Sequence, residues 1–151
     1  MAERRADRER WLRTLPPNQI GAGEVPLDER TANFAGPVDA EPSGPGEVRG
    51  LASSPGIVRG TARLVRELAE VGKFERGDVL VTYATAPPWT PLFAVASAVV
   101  TDAGGPLSHA AVVAREYGIP AVTGTKGATA RIEDGMVVTV DGDEGVVRIE
   151  R

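Results

Sequence analysis

Half of the 12 prolines in this 151-residue chain fall before residue 48, at Pro16, Pro17, Pro26, Pro37, Pro42 and Pro45. Each one fixes φ and lacks a backbone donor, so no long helix or central strand can run through that stretch. Its apolar residues, Val25, Leu27, Phe34 and Val38, follow neither a helical nor an alternating period, so the stretch can bury little. It also holds Gly21, Gly23, Gly36, Gly44 and Gly46. Burial here does not offset the roughly 1–2 kcal/mol of backbone entropy lost per ordered residue. Residues 16–49 therefore read as a mobile Pro/Gly-rich linker. Residues 1–15 carry alternating charges with Trp11, Leu12 and Leu15, and read as one short amphipathic helix stopped by Pro16-Pro17 and needing a surface to dock on.

The fold must then be built from residues 50–151. In residues 58–64 apolar or small side chains alternate with polar ones, the period of a half-buried strand. Residues 78–82 and 98–101 contain the runs Val79-Leu80-Val81 and Val99-Val100 between turn formers, which predicts buried strands. Residues 108–117 predict a helix, with Gly118 as its stop and Pro120 beyond. Residues 136–140 and 146–149 flank Asp141-Gly142-Asp143-Glu144-Gly145, a hairpin signal. The class expected is α/β, with no internal repeat.

Composition removes several kinds of chemistry. Without cysteine there is no disulfide, thiolate nucleophile or Cys-ligated zinc, and one histidine cannot make a His cluster. No metal site is identified, although an all-carboxylate one stays open. The formal charge of −4, with Lys73 and Lys126 the only lysines, offers no footprint for nucleic acid. No apolar run approaches the roughly 20 residues that span a bilayer. Residues 1–11 are rich in Arg and Glu and do not have the form of a secretory leader, so a cytoplasmic location with no membrane partner is expected.

The chemistry concentrates in residues 101–124. A buried strand ends at Thr101, Gly104-Gly105-Pro106 turns the chain, and a helix starts at about Ser108-His109. Ser108 is a suitable N-cap, and Leu107 can staple onto Val112. His109 then lies in the first helical turn, where unpaired N–H groups and the positive end of the dipole favour an attached anion such as a phosphoryl group. A neutral imidazole is a suitable nucleophile for it. Gly104 and Gly105 allow close backbone approach. Thr101 and Asp102 beside the glycines are candidates to orient the imidazole, with Asp102 equally readable as a turn former. Trp89 and Phe93 read as core more than as a docking surface. Ser108 beside His109 is no hydrolase dyad, because adjacent side chains at a helix start diverge. The glycine turn is no P-loop, since no Lys-Ser or Lys-Thr follows it.

These residues resemble the phosphohistidine signature of the phosphoenolpyruvate-utilising enzymes, a family that includes pyruvate phosphate dikinase, phosphoenolpyruvate synthase, enzyme I of the sugar phosphotransferase system and rifampicin phosphotransferase. The matching run is Gly104-Gly105, then His109-Ala110-Ala111-Val112-Val113-Ala114-Arg115. Leu51-Ala52-Ser53-Ser54-Pro55-Gly56 resembles the family's opening segment, Ala86-Pro87-Pro88-Trp89-Thr90-Pro91-Leu92-Phe93 the segment before its His strand, and Asp134-Gly135 with Val140-Asp141-Gly142 its ending. Leu107 stands where many members carry Thr. Leu-Ser-His with Arg-Glu-Tyr-Gly-Ile-Pro is closer to the rifampicin phosphotransferase and synthase-like branch.

The resemblance implies a β/β/α swivelling phosphohistidine domain over residues 50–151, with His109 as the phosphoryl acceptor. Gly104, Gly105, Ser108, Ala110 and Arg115 would support the phosphate. For Arg115 the alternative is a solvated or salt-bridged helix residue, paired with Glu116. No cofactor is expected on this chain; ATP or phosphoenolpyruvate, with Mg, would bind partner domains. Those partners would be an ATP-grasp nucleotide-binding domain and an acceptor or phosphoenolpyruvate/pyruvate-binding domain. Two rivals are a docking or regulatory module that keeps the fold without catalysis, and a small self-sufficient hydrolase or mutase.

Overall fold

A computed structural model describes residues 44–150. The helix expected in residues 1–15 and the linker up to residue 43 lie outside the described residues. The strands are β1 (Glu47–Arg49), β2 (Leu51–Ser54), β3 (Ile57–Leu64), β4 (Val79–Thr82), β5 (Ala98–Thr101), β6 (Ala121–Thr123), β7 (Val137–Asp141) and β8 (Val146–Ile149). Three short helices accompany them: α1 (Thr90–Phe93), α2 (His109–Tyr117) and α3 (Ala128–Arg131). The strand order is β1-β8-β7-β3-β4-β5-β6-β2.

β3 is long enough to serve two half-sheets. Residues 57–61 pair antiparallel with β7, and Ala62, Arg63 and Leu64 pair parallel with β4. From there β4, β5 and β6 run parallel, and β2 closes that edge antiparallel to β6. The β7–β8 hairpin and β1 form the other half.

The apolar runs in β4 and β5 explain the layering. A strand read with period two sends alternate side chains to opposite faces. Val79, Val81, Ala98 and Val100 pack with Val138, Val140 and Val147 between the two half-sheets. Leu80 and Val99 face the other way, against Trp89, Leu92, Phe93, Ala110, Val113 and Ala114. The result is sheet on sheet on helix, the β/β/α arrangement. α2 stops where expected: Gly118 takes φ 66°, and its N–H bonds the carbonyls of Ala114 and Arg115. No helix among the described residues is long and apolar enough to cross a membrane.

One expectation needs correcting. The end of the segment read as linker is part of the domain, since Glu47–Arg49 forms β1 on the edge of β8 and Val48 is only 1% exposed. The cause is tertiary. A three-residue strand after Pro45-Gly46 has no period of its own and is stabilised by the ladder it joins and by the core into which Val48 points. Val48→Ala is expected to cost about 2 kcal/mol in urea unfolding, as for other buried truncations. A loss under about 0.5 kcal/mol, the size of an ordinary surface change, would place β1 outside the cooperative unit.

Candidate functional site

The site lies at the carboxyl ends of the parallel strands, where β5 passes into α2. Gly104 has φ 122°, and a Cβ there would lie 2.9 Å from Cβ and Oγ of Ser108, so the turn requires glycine. Ser108 N–H donates to the Gly105 carbonyl at 3.0 Å. The Ser108 hydroxyl accepts from the Ala111 N–H at 3.3 Å, the cap that the sequence predicts. His109 is the first helical residue and Ala110 the second, so their N–H groups point out of the helix start. Ala110, Ala111 and Ala114 are buried and let the helix sit close on the sheet. Leu107 and Val112 remain 64% and 37% exposed, so any staple between them covers little of either.

Two threonines hold the half-buried imidazole. Thr85 Oγ1 lies 2.8 Å from Nδ1, and Thr90 Oγ1 lies 3.4 Å from Nε2. The Phe93 ring meets the imidazole edge-on, with centroids 5.9 Å apart and planes at 84°. Pro87, Pro88 and Pro91 stiffen the segment that presents these groups, and buried Trp89, Leu92 and Phe93 anchor it in the core. Trp89 and Phe93 are therefore core residues, and Phe93 also braces the ring.

Thr101 and Asp102 direct their hydrogen bonds elsewhere than to the imidazole. Thr101 Oγ1 donates to the Ala103 carbonyl at 2.8 Å. The Asp102 carboxylate accepts from the Thr125 hydroxyl at 2.9 Å, the Thr129 N–H at 3.2 Å and the Thr129 hydroxyl. Together they tie the base of the turn to residues 125–129. Arg115 bonds two backbone carbonyls. Its Nη1 donates to the Ser53 carbonyl at 3.1 Å and its Nη2 to the Pro106 carbonyl at 2.7 Å. Long helical side chains lean toward the helix N-terminus, which carries the guanidinium back onto the loop. Glu116 is not its partner among the described residues.

Thr85 and Thr90 are the partners of His109 that sequence reasoning did not single out. Thr90 lies inside the Ala86–Phe93 family-like segment and Thr85 directly before it, but both reach His109 only through the fold.

Comparison with known proteins agrees with this geometry. Residues 74–145 match the family model for the PEP-utilising enzyme mobile domain, and the chain belongs to that family. It is 53% identical over 110 residues to a phosphoenolpyruvate synthase of Aeropyrum pernix, covering 72% of this chain and 13% of that protein. It is 47% identical over 104 residues to a rifampicin phosphotransferase of Streptomyces sviceus (69% and 12%). A chondramide synthase of Chondromyces crocatus is 50% identical over 133 residues, 88% of this chain and 3% of that protein. The chain thus spans a small part of these multidomain relatives. The holo-form aconitase X structure of Thermococcus kodakaraensis superposes with a TM-score of 0.57 at 20% identity, over 72% of this chain and all of that one, a likeness of fold alone.

If Arg115 is a strut, Arg115→Met will loosen the loop even without phosphate. Two charge-assisted bonds disappear, each worth about 1–2 kcal/mol at a partly exposed position. Hydrogen exchange in residues 103–108 of the unmodified protein is expected to speed up about thirtyfold or more, the counterpart of the roughly 2 kcal/mol at the low end of that sum. Unchanged exchange there would return Arg115 to a role seen only with phosphate bound.

Proposed function

We propose that this domain is a phosphocarrier in which His109 Nε2 accepts a phosphoryl group and passes it on. The observation that carries this reading is the unequal grip on the imidazole. The 2.8 Å bond with Thr85 holds Nδ1, whereas among the described residues the hydrogen-bond contact of Nε2 is the 3.4 Å one with Thr90. With Nδ1–H donating to Thr85 Oγ1, the lone pair stands on Nε2, and that nitrogen is the nucleophile.

In the transfer, the Nε2 lone pair forms a bond to phosphorus as the bond from phosphorus to the leaving oxygen breaks, and the leaving group departs with that electron pair. Nδ1 keeps its proton against Thr85, which offsets part of the new negative charge. The outward N–H groups of His109 and Ala110, and the positive end of α2, suit the phosphoryl oxygens. The next acceptor attacks phosphorus from the opposite side and returns the lone pair to Nε2. Gly104, Gly105 and Ser108 shape the turn that makes this approach possible.

The remaining machinery would lie in partner domains, consistent with the small share of the relatives that this chain covers. An ATP-grasp domain, or a domain that binds phosphoenolpyruvate and pyruvate, would supply the donor with its Mg and the cationic clamps that phosphoryl transfer needs. This reading gives the chain itself no nucleotide site.

Potassium phosphoramidate, a small donor that releases ammonia, tests the proposal without a partner. The chain is expected to take up one phosphoryl group, labile in acid and stable in base, and His109→Ala to take up none. Uptake that survives in His109→Ala, or none in the unaltered chain, would overturn the reading; the second result would favour a docking module. Thr85→Val is expected to slow the reaction about tenfold, roughly one orienting hydrogen bond, and Thr85→Ser to restore most of it.

A further inference from the structure

We infer that Thr90 is a phosphoryl-binding residue. Its hydroxyl rests on the Nε2 lone pair in the free protein and moves to a phosphoryl oxygen once His109 is modified. This rests on the phosphocarrier reading and adds to it the group that receives the charge.

Three observations carry the assignment. First, Thr90 Oγ1 faces the nitrogen that would bear phosphorus, at 3.4 Å, near the outer limit of an N···O hydrogen bond. Such a bond gives way readily, and the P–N bond that replaces it brings anionic oxygens to the same side of the ring. Second, the cation nearest in sequence after the helix start is tied down: Arg115 gives one N–H of Nη1 and one of Nη2 to the Ser53 and Pro106 carbonyls, which hold the guanidinium on the loop. The Thr90 hydroxyl is the side-chain donor that already faces Nε2. Third, the Thr90 hydroxyl has no other assignment. It bonds no backbone group of α1, whose N-cap is Trp89, and it makes no second hydrogen bond among the described residues.

The backbone around Thr90 is fixed by its neighbours. Pro91 follows it, and Trp89, Leu92 and Phe93 are 8%, 5% and 1% exposed. The hydroxyl therefore changes partner by rotation about χ1 while Cα stays in place, which makes it a preorganised donor. Thr85 on Nδ1 keeps the ring still while the exchange happens. The two threonines thus divide the work, one setting the tautomer and the other following the charge.

The test loads the full chain with potassium phosphoramidate and follows phospho-His109 by phosphorus NMR at neutral pH. Thr90→Val and Thr90→Ala are expected to shorten its lifetime about threefold to tenfold, the effect of one lost hydrogen bond to a charged acceptor. They should also move its phosphorus resonance, while the melting temperature of the unmodified protein stays unchanged. Thr90→Ser, which keeps the hydroxyl, should restore both lifetime and resonance. Equal lifetimes in Thr90→Val, Thr90→Ala and the unaltered chain, with the phosphoryl group still on His109, would overturn the role of Thr90 alone. If the unaltered chain forms no phosphohistidine, the carrier reading fails and this inference with it.

Discussion

Burial of β4 and β5 on both faces constrains everything else in this domain. Val79, Leu80, Val81, Val99 and Val100 are all fully buried, so neither face of the central sheet can be left to water. One face must be covered by the half-sheet of β7, β8 and β1, and the other by α1 and α2. Polar chemistry is thereby pushed to the ends of the strands. At their carboxyl ends the loops after β4 and β5 meet, as in other open α/β sheets. Thr85, Thr90 and His109 come from those two connections and converge because the strands beneath them are adjacent and in register.

The convergence is one of hydroxyls and backbone donors. Arg115, which the resemblance suggests as a phosphate-supporting residue, fastens the loop before His109 to β2. Asp102 fastens the base of the same loop through Thr125 and Thr129. The charged residues thus build the frame, and neutral groups face the imidazole. A carrier must release its cargo as well as hold it, and neutral donors hold an anion less firmly than a guanidinium does. In the proposed function the tighter grip belongs to the partner domains.

The sequence is most readable where an element carries its own signal. β3 alternates, β4 and β5 are apolar runs, the β7–β8 turn has its glycines, and α2 has a serine cap and a glycine stop. His109 is legible because the turn glycines and the cap locate it. β1 and β6, of three residues each, are too short to show a period and exist because a neighbouring edge was open. The partners of His109 are hidden for a similar reason: Thr85 and Thr90 lie 24 and 19 residues upstream and reach it only through the fold. The sequence shows that Thr101 and Asp102 stand beside the glycines, but not that their side chains turn toward residues 103 and 125–129. For Arg115 it shows the position on the helix and not the backward lean of the side chain.

In the proposed function Thr85 fixes the proton on Nδ1 and leaves Nε2 as the reacting atom. Long-range proton–nitrogen correlation spectra of the single histidine, recorded before and after treatment with phosphoramidate, measure this directly. A protonated Nδ1 is expected in the free neutral ring, and phosphorus attached to Nε2 in the modified one. A free ring protonated on Nε2, or phosphorus attached to Nδ1, would contradict this reading.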